Sequence, residues 1–123
     1  MHVLKPEPEE MEVLRPEKTM VIRWSDGHCG DYPWWYLRGF CPCAHCQGHG
    51  GGDWTFIESE ESLALELVEA VGHYAVSLRW NNGHSTGIYS WETLRELCPC
   101  VECRESVGEN HVSQVLPPGY GLG

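Results

Sequence analysis

The chain has 123 residues, 41% of them hydrophobic, and a formal net charge of −10 at pH 7. That length bounds it to one domain with a small core, of a size that often relies on a metal or disulfide staple. The acidic balance repels phosphate backbones and anionic lipid, so neither nucleic acid nor a membrane surface is an expected partner.

Residues 1–18 carry three prolines and several glutamates with no apolar period, and they read as a flexible acidic arm. They contain neither the basic nor the apolar region of a secretory signal, and the chain has no apolar run of membrane-spanning length. The expected compartment is the cytoplasm, where thiols stay reduced. A strand is predicted from Met20 to Trp24, a turn at Ser25-Asp26-Gly27, and a second strand from Cys29 to Tyr32. Pro33 opens a short helix that runs to Phe40. The glycine-rich stretch 48–52 lacks the Lys-Ser/Thr end of a phosphate-binding loop.

Within Leu63–Ala70, Leu63, Leu65 and Leu67 alternate as a strand would, although the Leu, Ala and Glu content also suits a helix; a strand is preferred. A clearer strand covers Tyr74–Trp80, with Tyr74, Val76, Leu78 and Trp80 on one face. Asn81-Asn82-Gly83 is a hairpin turn, and residues 85–89 return as a strand. Ser90 caps a helix from Trp91 to Leu97, with Glu92 in its first turn. The end of the chain, 105–123, reads as an irregular tail.

The strongest feature is a doubled C-x-C-x-x-C. Cys41, Cys43 and Cys46 stand in CPCAHC, and Cys98, Cys100 and Cys103 stand in CPCVEC. The spacing extends beyond the cysteines. Trp24 and Trp80 are 56 residues apart, as are His28 and His84. Tyr32 and Tyr89, Trp34 and Trp91, Arg38 and Arg95, and each cysteine and its counterpart are 57 apart. The two units, 20–46 and 76–103, are therefore expected to pack about a pseudo-two-fold axis. Three thiolates and an imidazole make a closed tetrahedral zinc shell, whose role is structural because no position is left for water. His28 and His84 recur before the clusters, while His45 and His49 lie close to the first cluster as alternative ligands. Cys29 reads as a lone strand cysteine. His73 and His111 have no evident partner. The tryptophan and tyrosine pairs are expected in the core, and Arg38 and Arg95 at helix-end or carboxylate contacts.

Trp24-Ser25-Asp26-Gly27-His28, Trp35-Tyr36-Leu37-Arg38 and CPCAHC resemble the N-terminal domain of gamma-butyrobetaine hydroxylase. Val71–Val76 and Gly83–Trp91 are similar to small free-standing bacterial members of that family. The resemblance covers roughly residues 18–98. It implies a compact α+β domain with a structural zinc held by Cys41, Cys43, Cys46 and His84. The second cluster is outside the family pattern; by pseudo-symmetry, Cys98, Cys100 and Cys103 would take His28. A similar domain occurs fused to P-loop iron–sulfur carrier ATPases, which implies an iron or iron–sulfur trafficking or redox role as an alternative.

The expected architecture is thus a small α+β domain over 19–104. It has mostly antiparallel strands, two short helices, two pseudo-symmetric halves and a metal staple. The expected function is that of a zinc-binding accessory or interaction module, acting on a protein partner or a second copy. The hydroxylase's iron motif needs a His followed two residues later by Asp or Glu, and no His here is; no nucleophile elbow, Walker loop or His-Glu-x-x-His helix is present either. No catalytic residue is expected, and an enzyme of unrecognised type is the third alternative.

Overall fold

A computed structural model describes residues 7–47, 54–84, 87–118 and 120, with the side chains of Ala44 and His45 left aside. Strands β1 (Pro8–Leu14), β2 (Thr19–Trp24) and β3 (Cys29–Pro33) form one antiparallel sheet in that order. Strands β4 (Leu65–Val71), β5 (Ala75–Trp80) and β6 (Gly87–Ser90) form a second sheet of the same order. Helix α1 (Trp34–Gly39) follows β3, and α3 (Trp91–Glu96) follows β6. Each is succeeded by a second short helix, α2 (Ala44–Gln47) and α4 (Val101–Val107). The expected small α+β domain with two pseudo-symmetric halves is what forms. Two helices beyond the expected pair arise because the cysteine loops themselves wind up. Cys43 O accepts from Gln47 N, and Cys100 O accepts from Arg104 N, both at 3.0 Å.

Residues 1–18 are expected as a flexible acidic arm, of which 1–6 lie outside the described residues. Instead, Pro8–Leu14 pairs along β2 from Pro8–Trp24 to Leu14–Thr19. Its glutamates conceal it, because β1 is a sheet edge with four exposed residues, three half-buried ones and none buried. β1 corresponds to β4, each with its ladder irregularity at the same place, between Pro8 and Glu10 and between Leu65 and Leu67.

That bulge also overturns a face assignment. Leu63 and Leu65 are buried, but the extra residue flips the alternation and leaves Leu67 36% exposed. Tyr74 likewise leaves the face of Val76, Leu78 and Trp80. It lies in the turn before β5 and is 61% exposed, while Ala75 is buried. Ser90 caps α3 as expected, its Oγ accepting from Thr93 N at 3.1 Å.

The chain after Glu105 is not uniformly irregular. It continues α4 and makes two 3-10 turns, Gly108–Asn110 and Val112–Val115. His111 and Val112 are buried there. Burial lowers the His111 pKa, which favours a neutral ring. Its Nε2 lies 3.0 Å from Cys98 O, and Nδ1 accepts from Ser113 N at 3.0 Å. The tail is thereby fixed beneath the second cysteine cluster.

The core lies between the two halves and contains the paired aromatics Trp24 and Trp80 and Tyr32 and Tyr89. The tyrosine hydroxyls cross from half to half. Tyr32 donates to Leu94 O at 2.5 Å, and Tyr89 donates to Leu37 O at 2.6 Å. Tyr36 adds a third such bond, to Leu97 O. Burial, with neighbouring thiols, pushes the Tyr32 and Tyr89 pKa values well up, so both hydroxyls remain donors. Tyr89→Phe leaves the Leu37 carbonyl buried without its donor. We expect a loss of about 1–3 kcal/mol, read from urea unfolding with an unchanged m-value.

Candidate metal centre

The turn after β2 and the turn after β5 share one construction. Gly27 N donates to Trp24 O at 3.0 Å, and Trp24 N donates to His28 O at 2.8 Å. Gly83 N donates to Trp80 O at 3.1 Å, and Trp80 N donates to His84 O at 3.0 Å. Both glycines take positive φ, 90° and 86°, which an L side chain rarely adopts. The residue before each glycine fixes the histidine backbone: Asp26 Oδ1 accepts from His28 N at 3.3 Å, and Asn82 Oδ1 accepts from His84 N at 3.0 Å. Each turn thus delivers its histidine at a set height above the sheet, toward the other half.

The first meeting point joins Cys41, Cys43, Cys46 and His84, whose donor atoms all lie within 4.8 Å of one another. His84 Nε2 is 3.1, 3.7 and 3.6 Å from the sulfurs of Cys41, Cys43 and Cys46. Zinc bonds of about 2.3 Å to sulfur and 2.0–2.1 Å to nitrogen give a tetrahedron with sulfur–nitrogen edges of about 3.6 Å. The donor set therefore fits one ion of that size. Cys41 and Cys46 are buried and Cys43 is half-buried. Burial pushes the Cys41 thiol up to about 12 and the Cys46 thiol up as well, although Arg38 opposes the latter by donating from Nη1 to Cys46 Sγ at 3.6 Å. A metal entering here must displace thiol protons.

The second meeting point joins His28, Cys100 and Cys103 within the same 4.8 Å limit. Cys98, expected as a fourth member, stands beside Cys100 and Cys103 but outside that mutual limit. It is buried in the core, its sulfur 3.1 Å from where a Cβ on Gly30 would sit. Burial pushes the Cys98 and Cys103 thiols up. Both clusters can hold a metal ion, and the two differ in how completely they enclose it.

The surrounding charges differ too. Arg95 grips Asp26 with two bonds, Nη1 to Oδ1 at 3.0 Å and Nη2 to Oδ2 at 2.7 Å. Burial pushes the Asp26 carboxyl up, but the hydrogen bonds from Arg95 and His28 outweigh it and hold it below its ordinary value. His28 Nδ1 lies 2.9 Å from Asp26 Oδ2 and 2.7 Å from Arg95 Nη2, and Nε2 lies 3.4 Å from Glu102 Oε2. The carboxylate contact expected for the repeated arginines therefore occurs at Arg95, while Arg38 points to a cysteine sulfur. Asp26 carries one signal in the sequence, its alignment with Asn82 at the histidine offset.

Cys29 is exposed on β3. The backbone carbonyl of His73 accepts from Trp91 Nε1 at 3.0 Å. The alternative ligands His45 and His49 lie outside the described side chains.

The fold and clusters define a small α+β domain of two three-stranded sheets, with two cysteine–histidine sites between its halves. The gamma-butyrobetaine hydroxylase-like N-terminal family model matches residues 11–95, and the chain belongs to that family. It is similar to the crystal structure of a protein of unknown function from Acidithiobacillus ferrooxidans, a member of the DUF971 family. That likeness has 36% identity and a TM-score of 0.58 and covers 71% of this chain and 86% of the other. A solution NMR structure at 25% identity covers 90% of this chain and 80% of its own, with a TM-score of 0.65. Another shares the fold at 21% identity, with a TM-score of 0.60 and coverage of 96% and 98%. No curated protein matches the chain.

Gly87 presses against the first cluster. A Cβ there would lie 2.8 Å from Cys41 Sγ and 3.0 Å from the Tyr89 ring. Gly87→Ala should cost about 1–3 kcal/mol by overpacking. It should also speed alkylation of Cys41, read by mass spectrometry after brief iodoacetamide treatment of the metal-free chain.

Proposed function

We propose that this domain is an accessory or protein-interaction module whose two halves are stapled by one structural zinc on Cys41, Cys43, Cys46 and His84. The observation that carries the reading is the closed four-donor shell, with sulfur–nitrogen edges of 3.1–3.7 Å. Three thiolates and an imidazole suit a borderline-soft ion and leave no place for a reacting water. An iron–sulfur cluster interposes several iron and sulfide atoms between its cysteines, so donors this close favour a single ion. We therefore prefer zinc to the iron–sulfur alternative, and a stabilising role to catalysis.

The interaction reading draws on the outer face of the second sheet. Leu67 and Ile88 are 36% and 49% exposed there, where the first sheet carries Glu10 and Asp31. Among the described large hydrophobic residues that are exposed, Tyr74 is the one aromatic. A protein partner or a second copy of the chain would cover Leu67 and Ile88, which share this face with Glu69, Ser77 and Arg79. Among the described residues, no helix is long and apolar enough to cross a membrane.

Metal analysis and an absorbance spectrum of anaerobically purified protein test the assignment. The expected sample is colourless and carries zinc; brown protein with iron and acid-labile sulfide contradicts it. His84→Ala should lose the ion bound at the first cluster and lower Tm, whereas His28→Ala should retain it. Equal loss of that ion from both variants counts against the crossed ligand set.

Metal binding should also depend on pH. Burial raises the Cys41 and Cys46 thiols above their ordinary value, so both are protonated at neutral pH in the metal-free chain. Binding releases those protons, and zinc affinity should therefore rise with pH. Competition titrations against a chromophoric chelator, with its own proton affinity corrected for, check the direction.

A further inference from the structure

The two cysteine clusters begin from the same motif, yet their surroundings diverge at one position. Asp26 stands in the first turn where Asn82 stands in the second. The carboxylate draws Arg95 into a two-bond grip, and the guanidinium lies 5.5 Å from the centroid of the Trp24 ring. The counterpart Arg38 instead donates to Cys46 Sγ. Asp26 also faces His28 Nδ1 at 2.9 Å. A ring nitrogen cannot donate to Asp26 and accept from Arg95 Nη2 at once. A metal on Nε2 selects the tautomer that carries its proton on Nδ1 and donates to Asp26. This is the carboxylate–histidine–metal arrangement that orients a ligating imidazole.

Among the described residues, three donors lie within 4.8 Å of one another here: His28, Cys100 and Cys103. Cys100 and Cys103 are half-buried, and each opens on a different cleft. Cys103 lines one of about 480 Å³ with Arg95 and His111, and Cys100 lines one of about 280 Å³ with Cys29 and Arg104. Glu102, beside His28 Nε2, has a side chain that is 83% exposed.

We propose that the second cluster is an exchangeable site for a borderline-soft divalent cation. His28, Cys100 and Cys103 bind the ion, Asp26 acts as the positioning residue, and a fourth coordination position opens to solvent and exogenous ligands. Cys98 is as buried as Cys41 but lies outside the group of three mutually close donors, and it is left out of the shell on that ground. This goes beyond the structural-zinc reading and stands separately from it, because the two sites share no ligand.

The test uses the full metal-free chain under anaerobic, reducing conditions, titrated with Co(II) alone and followed by its visible and thiolate charge-transfer bands. Two ions per chain are expected. One should leave rapidly on addition of a chelator, and its visible bands should shift with added imidazole; the other should do neither. Cys100→Ser should remove the labile ion alone, and Cys98→Ser should retain it. Asp26→Asn should weaken the labile site roughly ten- to hundredfold and leave the tight one unchanged. Circular dichroism checks that each variant is folded.

A Cys46→Ser chain isolates the labile site, so failure of the structural assignment is read apart from failure of this one. The proposal is overturned if Cys46→Ser binds no cobalt, if imidazole leaves the second ion's bands unmoved, or if Cys98→Ser abolishes it. Unchanged affinity in Asp26→Asn overturns the positioning role.

Discussion

The structure depends on a crossing. Tyr32 of the first half donates to the Leu94 carbonyl of the second, and Tyr89 of the second donates to the Leu37 carbonyl of the first. These are helix carbonyls one turn before the cysteines, buried where water cannot replace the tyrosine. The bonds fix each cysteine loop against the opposite sheet. Because the turn histidines project from those sheets, the same crossing brings His84 to the first cluster and His28 to the second. The two candidate metal sites of this domain are therefore a consequence of how the halves dock.

Much of this was legible as spacing. The 56- and 57-residue offsets paired the tryptophans, tyrosines, histidines and cysteines, and the paired aromatics became the core except Trp91, which is partly buried against it. What spacing could not give is which half of the chain a histidine reaches; His84 entered through family resemblance, and the coordinates place it among the first three cysteines. Strand β1 escaped notice because an edge strand rich in glutamate lacks the apolar alternation by which strands are recognised. Leu67 was misassigned because a bulge costs the ladder one residue and leaves no fixed sequence mark. His111 was unreadable for another reason: its partner is the backbone carbonyl of Cys98, and carbonyls carry no residue identity.

The halves are alike in what holds them together and unlike in what covers them. The stretch after α2 covers the first half. Ile57 N donates to Gly39 O, Gln47 clasps Thr55, and a Cβ on Gly39 would lie 2.1 Å from the Phe56 ring. The segment with His111 and Val112 covers the second half. Trp54 joins the two regions through Glu96, its Nε1 donating at 3.0 Å. The covers stand at the same 57-residue offset but differ in residues and contacts: Gln47 Nε2 donates to Cys41 O, whereas His111 Nε2 lies against the equivalent Cys98 O.

That difference bears on what each ion contributes. An ion on Cys41, Cys43, Cys46 and His84 closes a loop between residues at least 38 apart in sequence, and it restricts the unfolded chain accordingly. The second cluster spans a longer loop, yet the elements around it are already tied by the tyrosine bonds, the Asp26–Arg95 grip and His111. Because these bonds do not pass through the ion, its departure removes three metal–ligand bonds without undoing the docking. A domain stapled twice by closed shells would release neither ion without loosening the interface between its halves. One closed shell and one open one separate stability from exchange, and a single carboxylate, Asp26, marks the side on which exchange falls.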